Sequence, residues 1–399
     1  MMSAIRAGQL QQDVTLIEKN PILGKKLLLS GKGRCNLTNA CDLEPFLERF
    51  SRNGQFLRDA FKKFFNQDLM HFFESRGLKL KIERQLRVFP VTDRSNSILE
   101  VLRKELLQQK VKILYKASLK DVVMQNKQVK GVLLGDAKVI PADKVILATG
   151  GATYKFTGSD GQVLEMASRL GHKVVPLRPG LVPLEVRQGY VRQLEGVALK
   201  NIRIKFSDAD KQIISDIGEL IFTGFGISGP LVLTLSGQIV EWLHENRHPH
   251  VEIDLKPALT KEQLHARLLR EFKLNSKKTL RNTLKSVLPL RLVDTFITLA
   301  KIAPMKKVSQ VTQAERDNLI FLLKAWRLDI IRARPLDEAI VTRGGVSLKE
   351  IDPRTMESRL IKGLYFAGEM IDVDADTGGF NLQAAFSTGY LAGESASAN

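Results

Sequence analysis

The chain has 399 residues, 61 of them Lys or Arg against 43 Asp or Glu, for a formal net charge of +18 at 44% hydrophobic content. This is the balance of a folded protein of roughly two or three domains, which excludes a disordered or fibrous chain. Two cysteines, Cys35 and Cys41, are too few for a disulfide scaffold and spaced unlike a metal or redox Cys-x-x-Cys pair. No apolar run reaches the ~18 residues of a membrane helix, and the opening residues lack an apolar h-region, so a reducing, cytoplasmic setting with no membrane and no metal is expected.

In chain order, MMSAIRAGQLQQ reads as the last turns of a helix closed by Gly8 and a polar loop. DVTLIEKN (13–20) is a short strand ending in an acid. In a dinucleotide-binding βαβ unit such an acid takes the adenosine ribose hydroxyls and follows the phosphate-binding glycines by ~20 residues. Counting back from Glu18 passes residue 1, so on that reading the first strand and its glycine turn are absent from this chain. Glu18 is either that ribose ligand or a surface acid at a strand end. LLLSGKGRCNLTNA (27–40) follows, in which Gly31 and Gly33 permit positive φ, Arg34 is a fixed cation, and Asn36, Thr38 and Asn39 offer hydrogen bonds. A plain glycine turn is the alternative.

Residues 56–77 have helical periodicity, with Phe56, Phe61, Phe64, Phe65, Phe72 and Phe73 as candidate core. A further helix is predicted to start near Ser95 or Asn96. Segments 111–116, 119–124 and 129–134 read as a β-meander. DKVILATGG (143–151) is a buried strand running into Gly150 and Gly151, as in a central parallel strand whose carboxyl end leaves room for a ligand, and 160–172 is a helix closed by Gly171. Beyond Pro176 the texture changes to short strands (181–186, 197–206, 211–215, 219–223, 251–255), as in a small barrel or sandwich. Gly224, Gly226 and Gly229 precede a helix with Pro230 at its first position, which is either a phosphate loop or a barrel-to-helix crossover.

Basic helices are predicted over 261–290 and 314–328. The charge is uneven: +8 over 61–120 and +11 over 261–335, against −5 over 336–399. Such stretches are either solvated helix faces or a surface for a polyanion. In the last segment LYFAGE is a strand entering a Gly-acid turn, and NLQAAFSTGYLAG is a helix beginning directly after Gly378 and Gly379. A helix start there offers backbone N–H groups to an anion. Ala384, Ala385, Ser387, Gly389 and Gly393 keep one helix face thin enough to lie close to a sheet. Glu369 could accept from a ribityl hydroxyl or act as a cap-like acid at a turn.

The strings GKKLLLSGKGRCNLTN, VILATGGATYKFTGSDG, EAIVTRGGVSLKEIDPRTMESRLIKGLYFAGE and MIDVDADTGGFNLQAAFSTG together resemble the BaiN/YhiN family of NAD(P)/FAD-dependent oxidoreductases, over essentially the whole chain. The resemblance implies an α/β fold: a FAD-binding Rossmann-like domain of the glutathione-reductase type, interrupted by an inserted β-barrel and a helical domain. The corresponding boundaries are 1–176, 177–260, 261–335 and 336–399. It implies that Glu18 binds the ribose and that the loop carrying Gly31, Arg34, Cys35 and Asn36 passes along the isoalloxazine. It places Leu119 in the strand whose backbone meets the adenine, Gly150 and Gly151 beside the FAD, and Gly368 and Glu369 near the ribityl-diphosphate. Gly378, Gly379, Asn381, Leu382 and Gln383 would face the flavin ring.

Family members with an assigned activity reduce conjugated C=C bonds, in a steroid-like acid or in uridine of large-subunit ribosomal RNA. Such a reaction takes a hydride from the flavin and a proton from a nearby acid. Cys35 is a candidate for that acid, with a buried structural thiol as the alternative. NAD(P)H as electron donor is inherited from the family name. The basic 61–120 and 261–335 stretches favour RNA, since polyanion binding rewards many cations whereas a small enone needs few. The remaining alternatives are a reductase of a small unsaturated carbonyl compound and a non-catalytic flavin- or RNA-binding protein.

Overall fold

Gly393 has no room for a side chain because a neighbouring backbone passes over it, and Gly389 lies under the Ser3 hydroxyl of the same segment. The structure, a computed structural model that describes residues 1–398, packs the helix Phe380–Ser397 against the opening helix Met2–Gln9. A Cβ on Gly393 would stand 2.4 Å from the Ser3 carbonyl oxygen. The thin face expected to meet a sheet thus meets a helix at these two glycines. The chain divides into two compact units, residues 1–180 with those from 336 onward, and Leu181–Pro335.

In the first unit Thr15–Glu18 pairs in parallel with Lys112–Tyr115, and Val145–Leu147 in parallel with Leu364–Phe366. The segment near 111–116 therefore belongs to a parallel pair. The antiparallel meander runs instead through Leu119–Gln125, Gln128–Leu134 and Val139–Pro141. Local patterning makes 111–116 a strand, but its partner lies about a hundred residues upstream, which no turn signal could reveal. Val174–Gly180 and Val341–Val346 pair antiparallel, so the two halves of this unit meet directly on either side of the insertion. The helix expected from Ser95 or Asn96 is Ser95–Gln108.

Phe46 is wholly buried and meets Phe61, Phe65 and Phe380 at ring-centroid distances of 5.3, 5.0 and 4.7 Å, all near edge-to-face. Edge-to-face pairing adds to burial, and this cluster fixes the first residue of the C-terminal helix. Phe61, Phe64, Phe72 and Phe73 are buried and Phe56 and Phe65 partly so, as the periodicity implied.

The second unit is a closed antiparallel barrel. Ala198–Asp208, Gly218–Thr223, Gly226–Ser228, Leu184–Val186, Trp326–Ala333 and His250–Asp254 pair in that order, and the last pairs back with the first. Closure removes exposed strand edges. The barrel's last strand in chain order, Trp326–Ala333, overlaps the end of the stretch read as helix to 328. The helix is Gln313–Lys324, and Trp326 begins the strand with its indole wholly buried. Gly226 lies against the Leu184 carbonyl, and Gly229 (φ +93°) leads into the helix Pro230–His244 with proline at its first position. The glycines 224–229 thus form the crossover and not a phosphate loop.

Lys261–Leu274 and Gln313–Lys324 both start in capping boxes, Thr260 with Gln263 and Thr312 with Glu315. Their apolar residues, including Leu264, Leu268, Leu319 and Leu323, share one core with the barrel residues Phe206 and Phe222. Barrel and helices are therefore one unit, whereas the resemblance implies separate domains over 177–260 and 261–335. Among the described residues no helix is long and apolar enough to cross a membrane, and no group of His, Cys, Asp or Glu is placed to hold a metal ion.

Candidate functional site

Three parallel strands of the first unit end in ligand-type residues. Thr15–Glu18 ends in the carboxylate of Glu18, whose Oε1 accepts from the Asn20 backbone N–H and from Asn20 Nδ2, both at 2.8 Å. Asn20 Nδ2 also donates to the Thr157 carbonyl at 2.8 Å. Val145–Leu147 runs to Gly150 (φ +82°) and Gly151, and its neighbour Leu364–Phe366 to Gly368 (φ +69°) and Glu369. Carboxyl ends of parallel strands are where such sheets bind dinucleotides. Leu119 lies two residues beyond Ala117, whose N–H donates to the Glu18 carbonyl.

Glu369 is held on both oxygens. Oε1 accepts from Thr342 N–H at 2.7 Å, and Oε2 accepts from Lys26 Nζ at 2.5 Å. Lys26 also donates to Thr153 Oγ1 at 2.8 Å. Thr342 Oγ1 accepts from Ala152 N–H at 2.8 Å, and a Cβ on Gly151 would fall 2.2 Å from that oxygen. Only glycine fits there. Lys26, Thr153 and Thr342 were not singled out in the sequence. Lys26 stood inside the quoted GKKLLLSGKGRCN string, but nothing local marked which of two adjacent lysines points inward.

The loop after this lysine is left-handed at Gly31, Lys32, Gly33 and Cys35. A Cβ on Gly31 would lie 2.7 Å from Asn36 N. The Asn36 amide, oriented so that its nitrogen donates to the Thr38 carbonyl at 3.2 Å, accepts from Gly379 N–H at 3.1 Å. The first N–H at the C-terminal helix start is thus already bonded. Gly379 (φ +98°) has no room for a side chain, since a Cβ would sit 2.4 Å from the Thr38 carbonyl. Gly378 accepts through its carbonyl from Asn39 Nδ2 at 3.3 Å. The glycine pair and the 31–39 loop are therefore clamped together.

Five residues expected to face the ligand have their side chains engaged elsewhere. Arg34 pairs with Glu83 and Asp93 and lies over the Phe89 ring at 4.3 Å, and its acidic partners hold its pKa above the ordinary value. Cys35 is wholly buried, and burial pushes its thiol up to about 11. The buried structural reading of Cys35 is the one the geometry supports. Gln383 is wholly buried, accepting from Thr38 Oγ1 at 2.6 Å and donating to Ser387 Oγ at 3.0 Å, so it ties the loop to the helix. Asn381 accepts from Ala375 N–H at 2.9 Å and donates to the Ala375 carbonyl at 2.8 Å, bracing the loop before the helix. Leu382 is half-buried and packs against the core formed by Met2, Ile5 and Leu37. That bracing loop carries Asp372, Asp374 and Asp376, whose carboxyl pKa values are all raised by burial, Asp376 to about 6.

A family model described as the HI0933-like protein Rossmann domain matches residues 1–395. The chain belongs to this family. It is 34% identical over 99% of its length to a 3-dehydro-bile acid delta(4,6)-reductase of Clostridium scindens, covering 96% of that protein. It is 30% identical over 98% of its length to a ribosomal RNA dihydrouridine synthase of Escherichia coli, covering 93% of it. Among solved structures, a quinol-fumarate reductase matches with TM-score 0.52 at 16% identity, over 99% of this chain and 68% of that one. A 3-ketosteroid delta1-dehydrogenase from Sterolibacterium denitrificans matches with TM-score 0.50 at 12% identity, over 99% and 97%. At these identities the solved structures speak to the fold, which is α/β with a Rossmann-type domain.

Proposed function

We propose that this chain holds FAD along the carboxyl ends of its parallel strands and reduces a conjugated C=C bond, that of uridine in large-subunit ribosomal RNA. The open glycines leave room for the cofactor: Gly368, at a strand end, has only Ala385 near, at 3.6 Å, and Gly33, in the loop after Lys26, has open space where a Cβ would stand. Glu18 would accept from the ribose hydroxyls, the backbone at Gly150, Gly151 and Gly368 would lie along the diphosphate, and Leu119 would border the adenine. Gly31, Asn36, Gly378 and Gly379 would form the wall beside the ring system. When bound, FAD supplies the hydride that adds to the β-carbon of an enone-type C=C, while the α-carbon takes a proton. Asn381 and Gln383 hold the loops of that wall, and Cys35 anchors its turn. Electrons are proposed to come from NADH or NADPH, and the setting is proposed to be the cytoplasm.

The observation that carries the choice of RNA is the surface of residues 261–307. Lys261, Arg270, Lys273, Lys277, Lys278 and Lys301 are exposed, and none has an ion-pair partner among the described residues. RNA affinity grows with the number of phosphates neutralised, so cations left unpaired by the fold are the ones available to it. In the other basic stretch Lys62, Lys63, Arg76 and Lys81 are paired with acids, while Arg94, Arg103, Lys104, Lys112, Lys116 and Lys120 are exposed and have no ion-pair partner among the described residues, so it adds to the cations open to a polyanion. A second reading, a reductase of a small steroid-like enone, is favoured by the 34% identity to the bile acid reductase. Dihydrouridine measured in ribosomal RNA of a deletion strain decides between them. Loss of the modification supports the RNA substrate, whereas unchanged RNA returns the enone to first place. Anaerobic addition of NADH or NADPH to the purified flavoprotein, followed by bleaching of its visible band, identifies the donor.

A further inference from the structure

Glu369 presents a charge problem that the FAD reading must answer. A Cβ on Gly150 would stand 3.8 Å from Glu369 Oε2, and one on Gly151 would stand 3.2 Å from Glu369 Cδ. The carboxylate therefore lies directly against the glycine backbone along which a diphosphate would run. Two like charges a few ångströms apart in a partly desolvated wall repel strongly. The side chains of Lys26 and Glu369 are only 28% and 20% exposed, so water screens that repulsion poorly.

Lys26 comes from the short helix Lys25–Leu29, entered through Gly24 in the left-handed conformation (φ +70°), where a Cβ would strike Leu99 at 2.7 Å. The backbone thus fixes the direction of Lys26. Its ammonium bonds Glu369 Oε2 at 2.5 Å and Thr153 Oγ1 at 2.8 Å, while Thr342 N–H holds the other carboxylate oxygen. We propose that Lys26 is a positioning residue of the cofactor site: it cancels the charge of Glu369 and pins the carboxylate, so that a diphosphate-bearing dinucleotide can lie along Gly150 and Gly151. This rests on the FAD reading. A threonine and a backbone N–H could orient Glu369 alone, but neither could neutralise it. The charge is the part that needs lysine.

The test is FAD affinity, read by quenching of flavin fluorescence on titration into apoprotein, for wild type, K26M, K26Q, E369Q and K26M/E369Q. An uncompensated carboxylate beside the diphosphate should weaken FAD binding in K26M roughly ten- to hundredfold at low salt. K26Q keeps hydrogen-bonding capacity without charge and should lose nearly as much, which covers the case in which K26M does not fold. Removing the carboxylate should erase the effect, with K26M/E369Q binding within about threefold of E369Q. Unchanged affinity in K26Q, or a double variant as weak as K26M, overturns the role of Lys26 while leaving the FAD reading intact. A wild-type protein that binds no FAD overturns both.

Discussion

The glycine-lined strand ends and the basic 261–307 surface treat their polar groups in opposite ways. At the strand ends nearly every polar side chain already has a partner: Glu18 has Asn20, Glu369 has Lys26 and Thr342, and Asn36 has Gly379. On the basic surface the lysines of 273–278 extend into solvent without ion pairs. The first arrangement fixes positions before a ligand arrives, which lowers the entropy lost on binding. The second fixes only charge, which acts at a distance and is screened by salt. Substitutions in the first should therefore change geometry and flavin binding together, and those in the second only the attraction for a polyanion.

The sharpest break with this picture would come at Gly379. Gly379→Ala must place a methyl group 2.4 Å from the Thr38 carbonyl at φ +98°, so it should yield protein without flavin absorbance and at least about 2 kcal/mol less stable in urea unfolding. Normal flavin content there would mean that the clamp does not form the cofactor wall. Phe46→Ala removes the ring that locks Phe380, and should cost about 3–5 kcal/mol in chemical unfolding.

Replacing Lys261, Arg270, Lys273, Lys277 and Lys278 by Gln should leave the flavin spectrum unchanged. RNA affinity should fall, with the slope of log affinity against log salt flattening by about 3–4 if each contacts one phosphate. A spectrum that changes along with the charge would erase the distinction between the two regions.

The smallest effect concerns Asp376, whose carboxyl burial raises from 3.8 to about 6. Its neutral form favours the fold below the unfolded value, and that stability is lost as pH rises through about 6. Asp376→Asn should therefore gain on the order of 1 kcal/mol near pH 8 and nothing near pH 3, as read from urea midpoints. Arg49, 3.8 Å from the carboxylate and half-exposed, offsets little.

Much of this was legible in the chain itself. DKVILATGG and LYFAGE announce strands ending in glycine because only such a sequence both buries a strand and clears its end. The helix from Phe380 follows from the double glycine before it. The role of Gln383 was not legible: the string around it marks a site, yet its amide is wholly consumed by Thr38 and Ser387. Arg34 likewise reads as a ligand cation until Glu83 and Asp93, some fifty residues away in sequence, are brought beside it.

The sequence by itself determined where strands, glycine turns and charge lie, because those depend on backbone propensity and composition over a few residues. Which strands pair, that Trp326–Ala333 belongs to a closed barrel, and that Lys26 and not Lys25 meets Glu369 were decided only by the tertiary structure. Each of these depends on groups far apart in the chain, whose encounter is set by packing of the whole unit and not by any local preference.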